Sequence, residues 1–327
     1  MRIPIRDDSK ESDDTASTGT DGHWTPYTPP RSGYSNDDGQ PSVLVWTPEV
    51  EPRQTEEAKP PPLRWKRSLA LFLATCFTTF AVGGPLYAFA VMFTLTFHEF
   101  GHYLQARRYR MAASLPYFIP LPLPPFGTMG AVIIMPSRIS NVRALFDMAI
   151  SGPLAGLVPA LGFTIIGLHL SEFRALSTIT DPTVSLGSPL LFDWLAYLIH
   201  GPTPEGYDLF LHPLAFAGWV GIFITALNLI PISQLDGGHI LYALLKKRSY
   251  PIAVGLFSLA IAATILSGNW GWSLMILLIF IAGPMHPPTA NDQVPLGKFR
   301  YVLGWATLLF FIIGFTPNPV SITFPNG

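Results

Sequence analysis

Long apolar runs separated by short polar connections dominate the chain from residue 68 onward. Runs close to the roughly 20 residues needed to cross a hydrocarbon core predict transmembrane helices. They lie at about 68–84, 86–105, 144–168, 212–231, 252–267, 270–284 and 300–315. Another apolar run, at 188–200, contains Asp193 and His200 and predicts an interfacial or re-entrant helix. The pattern therefore predicts an all-α polytopic membrane protein with about six to seven transmembrane helices.

The stretch 114–136 departs from the helical pattern. Its first part contains five residues that exclude a regular helix: Pro116, Pro120, Pro122, Pro124 and Pro125. Residues 127–134 follow as a glycine-containing turn and a β-prone run. We expect a small re-entrant β-element whose strand edge can pair with an unwound peptide. A covered hydrophobic loop is the alternative.

The first 62 residues differ in composition from the rest. Residues 1–62 carry 12 Asp and Glu against 6 Lys and Arg, and little periodic hydrophobicity. Such a segment cannot bury enough apolar surface to offset the entropy of ordering, so we predict a disordered acidic tail. Residues 63–327 are predicted to form one transmembrane domain.

The distribution of charge predicts a membrane location and a topology. Charged residues make up 13% of the chain, about half the usual share, and the net charge is −1. These values exclude an ordinary soluble protein and argue against nucleic-acid binding. Lys and Arg in the short connections fall on one side of the predicted spans, which places the tail in the cytoplasm. Because the tail does not resemble an Arg-rich, acid-poor transit peptide, we expect a bacterial or archaeal plasma membrane.

The predicted second span ends in a group of ionisable residues. His98 and His102 are four residues apart, so they project from one helical face with Glu99 beside them. Two imidazoles at this spacing can hold Zn²⁺, while the Glu is placed to take a proton from water. The alternative is two histidines reaching toward the interface, with Glu99 paired to an Arg. An ionisable trio in a membrane span without a function is costly, so we favour the metal site.

A catalytic zinc needs a further protein ligand. Asp236 follows Pro231, which should end the preceding helix, and it precedes Gly237 and Gly238, which permit a sharp turn. An irregular segment could thus present Asp236 to the histidine pair. His239 is a rival ligand. Asp147 is expected to be a hydrogen-bonded packing group, and four other histidines are expected to be structural or interfacial: His169, His200, His212 and His286.

Two motifs together resemble a known family. HEFGH at 98–102 and NLIPISQLDGG at 228–238 resemble the HExxH and NxxPxxxLDG signatures of the site-2 protease family of intramembrane zinc metalloproteases. Similarity extends over most of the predicted catalytic core, about 85–297. The branch lacking an inserted PDZ domain fits best, because no connection is long enough to contain one.

The resemblance implies a site and a reaction. His98, His102 and Asp236 would bind one Zn²⁺ per chain, and Glu99 would act as general base. Asn228 would bind the substrate backbone or the oxyanion. The substrate would be a transmembrane protein or peptide in the lipid bilayer. Two alternatives stay open: a catalytically silent binding protein on the same scaffold, and a metal or ion transporter, which should show internal repeats that we do not find.

Overall fold

The computed structural model of the protein describes residues 65–134, 139–176 and 183–323. Within these ranges the chain is mostly helical, as predicted. The α-helices are α1 (Trp65–Arg108), α2 (Val142–His169), α3 (Leu190–His200), α4 (Pro213–Asn228), α5 (Asp236–Leu245), α6 (Ser249–Ser267), α7 (Ser273–Ala282) and α8 (Lys298–Gly314). The predicted disordered tail, residues 1–62, lies outside the described residues.

The first helix is divided at a glycine. The 44 residues of α1 would measure about 66 Å if they formed a straight helix, twice the thickness of a hydrocarbon core. Gly84 interrupts it with φ 76° and ψ −175°, and Pro85 follows. Glycine adopts positive φ readily, and the helical conformation is unfavourable for any residue that precedes a proline. The break coincides with the predicted boundary between the first two apolar runs.

Among the described residues, three helical stretches are long and apolar enough to cross a membrane: Trp65–Arg108, Val142–His169 and Asp236–Ser267. Leu190–His200, Pro213–Asn228 and Trp270–Ala282 are shorter apolar helices. Large apolar side chains are exposed on the outer surface, among them Leu266 at 87% and Val158 at 71%. Such a surface is typical of contact with lipid. Membrane character is thereby confirmed, whereas the number of about six to seven crossings stays a prediction.

In the part of the chain that the structure describes, six short strands form three antiparallel pairs. They are β1 (Tyr117–Pro120) with β2 (Thr128–Val132), β3 (Glu172–Ala175) with β5 (Tyr207–Phe210), and β4 (Thr183–Leu186) with β6 (Val320–Thr323). The β1–β2 pair falls where the sequence predicts a β-element, with Tyr117 opposite Val132. Its re-entry into a membrane stays a prediction. The other two pairs were not predicted, because four-residue strands carry too little alternation of polar and apolar positions to be recognised.

The core lies where α1, α2 and α4 pack together. Close approach depends on small residues, since a side chain at Gly101 would clash with the backbone of Ser151, and one at Gly167 with that of Ala215. Gly156 similarly lies against His98. The small residues of α2 thus form a packing surface.

The segment around Asp236 corrects one expectation. Helix α4 ends at Asn228, three residues before Pro231, and Asp236 is the first residue of α5 instead of part of an irregular segment. Gly237 and Gly238 lie inside that helix, and a side chain at either would clash with backbone in 229–233. The two glycines therefore permit close packing of α5 on the preceding loop, and do not form a sharp turn.

Candidate metal centre

The last turns of α1 present three buried ionisable side chains. His98 and Glu99 are each 4% exposed, and His102 is 7% exposed. The imidazole rings lie one above the other on one helical face, with centroids 4.9 Å apart. The helix thus places these groups as the four-residue spacing predicts.

Asp236 reaches the histidine pair from a distant part of the chain. Its Oδ2 lies 3.2 Å from His98 Nε2 and 3.3 Å from His102 Nε2. The carboxylate and the first imidazole are 138 residues apart in sequence. These three side chains are the one group of metal-binding type found within the described residues.

The three ligand atoms fit a tetrahedral ion. Corners of a tetrahedron centred about 2.0 Å from each corner are about 3.3 Å apart, which corresponds to the bond lengths of Zn²⁺ with His and carboxylate ligands. The two imidazole Nε2 atoms are 3.2 Å apart, and Asp236 Oδ2 lies 3.2 and 3.3 Å from them. The donor set of two nitrogens and one oxygen suits zinc and leaves a fourth position for water or substrate.

A main-chain carbonyl orients one of the imidazoles. His102 Nδ1 lies 2.8 Å from the carbonyl oxygen of Met148 in α2. When Nδ1 donates its proton there, the lone pair of Nε2 is directed at the candidate metal position, as is usual for metal-ligating histidines. Gly152, one turn further along α2, gives the ring its space, because a Cβ there would overlap His102 Nε2.

Asn228 lies at the C-terminal end of α4, beside the same group. Its Nδ2 is 3.4 Å from His98 Nε2. The structure therefore brings all five predicted site residues, His98, Glu99, His102, Asn228 and Asp236, to one place.

The other candidate residues lie elsewhere. Asp147 is bound to Arg300 and Tyr109, in keeping with the packing role predicted for it. His169, His200 and His212 each contact main-chain groups at helix ends. His239 lies outside the metal-binding group, although it is only three residues after Asp236.

A histidine pair next to the site, in which His286 is buried and His239 half-buried, was not predicted. His239 Nδ1 lies 2.5 Å from Nε2 of His286, whose ring stacks on Tyr242 with a centroid distance of 4.6 Å. Burial lowers the pKa of His286 to about 4, so this imidazole is neutral at pH 7. The hydroxyl of Tyr242 donates to Asp292, at 2.7 Å. The pair fastens residues 283–297 to α5. The three-residue spacing of His239 and Tyr242 on a helix was the available signal, but it does not identify the partner.

Gly152→Ala tests the space around His102. The added methyl group would displace the imidazole, so we expect the zinc affinity to fall about tenfold or more, with about 1–3 kcal/mol of lost stability from overpacking. Isothermal titration with zinc measures the first effect. The matched control is Gly162→Ala on the same helix, where the added Cβ meets no atom within 4 Å apart from its own neighbours in the helix. Equal zinc affinity in both variants would contradict the assignment.

Comparison with known proteins gives the family. The model of peptidase family M50 matches residues 86–266, more than half of the chain. The chain belongs to peptidase family M50. This confirms the resemblance to the site-2 proteases, and residues 86–266 of this family member hold every candidate site residue.

Two relatives illustrate the similarity. A protein from Oryza sativa subsp. indica, named probable zinc metalloprotease EGY2, chloroplastic, is 32% identical over 231 residues, which cover 68% of this chain and 40% of the relative. The probable zinc metalloprotease EGY1, chloroplastic, of Arabidopsis thaliana is 29% identical over 236 residues, covering 70% and 42%. This chain thus spans about two fifths of the curated relatives that it matches. No solved structure matches it.

The comparisons do not support one prediction. Both relatives are chloroplast proteins by name, so the expectation of a bacterial or archaeal plasma membrane receives no support from them. The composition of residues 1–62, on which that expectation depended, does not identify a membrane.

Proposed function

We propose that the protein is a zinc-dependent metalloprotease that hydrolyses a peptide bond within or next to a transmembrane segment of its substrate. The observation that carries this proposal is the convergence of His98, His102 and Asp236, with ligand atoms 3.2 to 3.3 Å apart, inside an apolar helical bundle. Membership of peptidase family M50 supports the proteolytic activity. The names of the relatives as zinc metalloproteases favour it over a transporter.

Each residue of the site has a role in this reaction. The three ligands would hold one Zn²⁺, which would supply a Lewis acid to polarise a scissile carbonyl and to make water a nucleophile near neutral pH. Glu99 accepts the proton of the attacking water and returns it to the leaving amine. The side-chain amide of Asn228, 3.4 Å from His98 Nε2, lies where it can donate to the carbonyl oxygen of the substrate.

The substrate must unwind before it is cleaved. A transmembrane helix satisfies its own backbone hydrogen bonds, and its carbonyls are shielded from attack. The unwound segment pairs with the edge of β2, which has one partner strand among the described residues. Met129 and Val132 of this strand are 44% and 50% exposed, so apolar substrate side chains can pack against them. In strand addition of this kind, main-chain hydrogen bonds give affinity, and contacts with alternate side chains give specificity.

Basic residues follow the helices that carry the metal ligands. The metal ligands lie close to the end of α1, which carries Arg107 and Arg108, and α5 is followed by Lys246, Lys247 and Arg248. By the positive-inside rule this side faces the cytoplasm, or the equivalent compartment of an organelle. We expect water to reach the site from that side.

Removal of the metal tests the proposal directly. We expect 1,10-phenanthroline to stop cleavage of a tagged single-span reporter in membranes that contain the protein, and added Zn²⁺ to restore it, because the attacking water depends on the metal. Immunoblotting of the reporter fragments gives the measurement. The non-chelating isomer 1,7-phenanthroline is the control. A protein-dependent cleavage that persists after complete metal removal would refute the metalloprotease assignment.

A further inference from the structure

Three helices are tied together at Asp147, near the start of α2. Arg300, in the first turn of α8, binds both carboxylate oxygens: Nε lies 2.6 Å from Oδ1, and the terminal nitrogen 2.8 Å from Oδ2. Tyr109, just after α1, donates its hydroxyl to Oδ2 at 2.5 Å. The Asp147 side chain is 11% exposed and that of Arg300 33% exposed. A two-point contact of this kind fixes both distance and orientation, which a single ion pair does not.

The contact between Asp147 and Arg300 lies one residue away from the carbonyl group that orients a metal ligand. Asp147 precedes Met148, whose carbonyl oxygen lies 2.8 Å from His102 Nδ1. The hydroxyl of Ser151 also donates to this oxygen, at 2.7 Å, so the carbonyl is held from more than one side. A small rotation of the first turns of α2 would move the carbonyl away from the imidazole and release the ring from its metal-binding orientation.

Helix α8, which carries Arg300, also contacts other elements of the metal site. Helix α8 packs against α4, which ends in Asn228, and against α5, which begins with Asp236. Gly304 permits its crossing, because a Cβ there would press on Phe146 of α2 and Leu244 of α5. Yet α8 begins at residue 298, beyond the residues that match the family, 86–266. A helix outside the matched part of the chain therefore packs against the helices that carry the metal site.

We propose that Arg300 is a positioning residue for the metal centre, which holds Asp147, and through it the Met148 carbonyl, in the place where His102 is oriented to bind zinc. The proposal rests on the metal site assigned above. A positioning residue differs from one that only stabilises the fold. When its contact is lost, the protein that remains folded binds zinc with a different affinity and ligand geometry.

The test compares zinc binding by purified wild-type protein with that by Arg300→Gln and Asp147→Asn. We expect zinc to bind about tenfold more weakly in each variant. Loss of a partner that holds a metal ligand lowers the affinity by about 10–100-fold, and we expect the low end of this range because Arg300 acts through one more residue. We expect the double variant to be no weaker than the weaker single variant, since both changes break one contact. Arg300→Lys should recover part of the affinity, because Lys keeps the charge but not the two-point geometry.

A spectroscopic readout detects the geometry itself. In protein loaded with Co²⁺ in place of Zn²⁺, we expect the visible absorption bands to shift in Arg300→Gln, because the His102 ring turns. Lys298→Gln, which removes a positive charge from the same turn of α8 at an exposed position, is the matched control and should keep the wild-type affinity and spectrum.

The outcomes separate this proposal from the assignment on which it rests. If Arg300→Gln and Asp147→Asn lower only the melting temperature, while the folded protein binds zinc with unchanged affinity and Co²⁺ with an unchanged spectrum, the positioning role is refuted and the metal site stands. Wild-type protein that fails to bind zinc at all would instead refute the metal site. If Arg300→Gln does not fold, Arg300→Lys and Asp147→Asn decide the question by the same two measurements.

Discussion

Glu99→Gln is expected to abolish peptide-bond cleavage while the protein keeps its zinc. The amide has nearly the same shape as the carboxylate but cannot accept the proton of the attacking water. A positioned general base contributes about 10²–10⁴ to the rate, so the loss should be at least of this size. Glu99 is 4% exposed and lies between His98 and His102 in sequence. It is not one of the three residues that form the metal-binding group. Zinc content, measured by atomic emission, should therefore be unchanged.

Quantitative proteomics of membrane-protein fragments gives the most informative form of this experiment. Fragments present with the native protein and absent with Glu99→Gln identify the substrates and the cleavage positions together. Glu205→Gln, at an exposed position, is the matched control for loss of a glutamate charge. Full cleavage activity in Glu99→Gln would remove the general base from the mechanism.

Asp236→Ala is expected to lose both zinc and activity. Its Oδ2 is the one carboxylate oxygen that completes the group of three ligand atoms. Removal of a direct ligand should weaken zinc binding by more than the about 10–100-fold that loss of an outer partner costs. His98→Ala should have the same effect, because it removes another corner of the same triangle. Competition with a zinc-sensitive dye of known affinity measures the change.

A second aspartate controls for the loss of charge. Asp193→Ala alters an exposed side chain on α3, and we expect it to retain stoichiometric zinc. A purified Asp236→Ala protein with one zinc per chain would show that the third ligand has been assigned wrongly. Asp292→Ala, which breaks the contact with Tyr242 beyond the histidine pair, should be milder than Asp236→Ala, because it leaves all three ligands in place.

Much of the helical architecture follows from local properties of the chain. The runs at 144–168 and 300–315 correspond to α2, Val142–His169, and α8, Lys298–Gly314, within a few residues. The break between the first two runs coincides with Gly84. These features depend on apolar length and on glycine and proline, which act on their own neighbours. A single sequence is sufficient to read them.

Other elements depend on partners far away in the chain. Helix α5 has glycines at its second and third positions, and glycine disfavours helices by about 1 kcal/mol relative to alanine. The close packing of Gly237 and Gly238 on 229–233 offsets this preference. The strands β3 to β6 likewise depend on pairing between segments more than 30 residues apart, such as Glu172 with Phe210.

By itself the sequence determined the chemical identity of the site: two imidazoles one helical turn apart, a glutamate beside them and a short choice of further ligands. That information is local, because a helix fixes the relation of residues four positions apart. The family motif favoured Asp236 over His239, but only the tertiary structure brought Asp236 to the histidine pair, paired His239 with His286, and placed Arg300 of α8 on Asp147. Those choices depend on how α2, α5 and α8 pack, and packing is set by the shapes of many side chains that no single motif encodes.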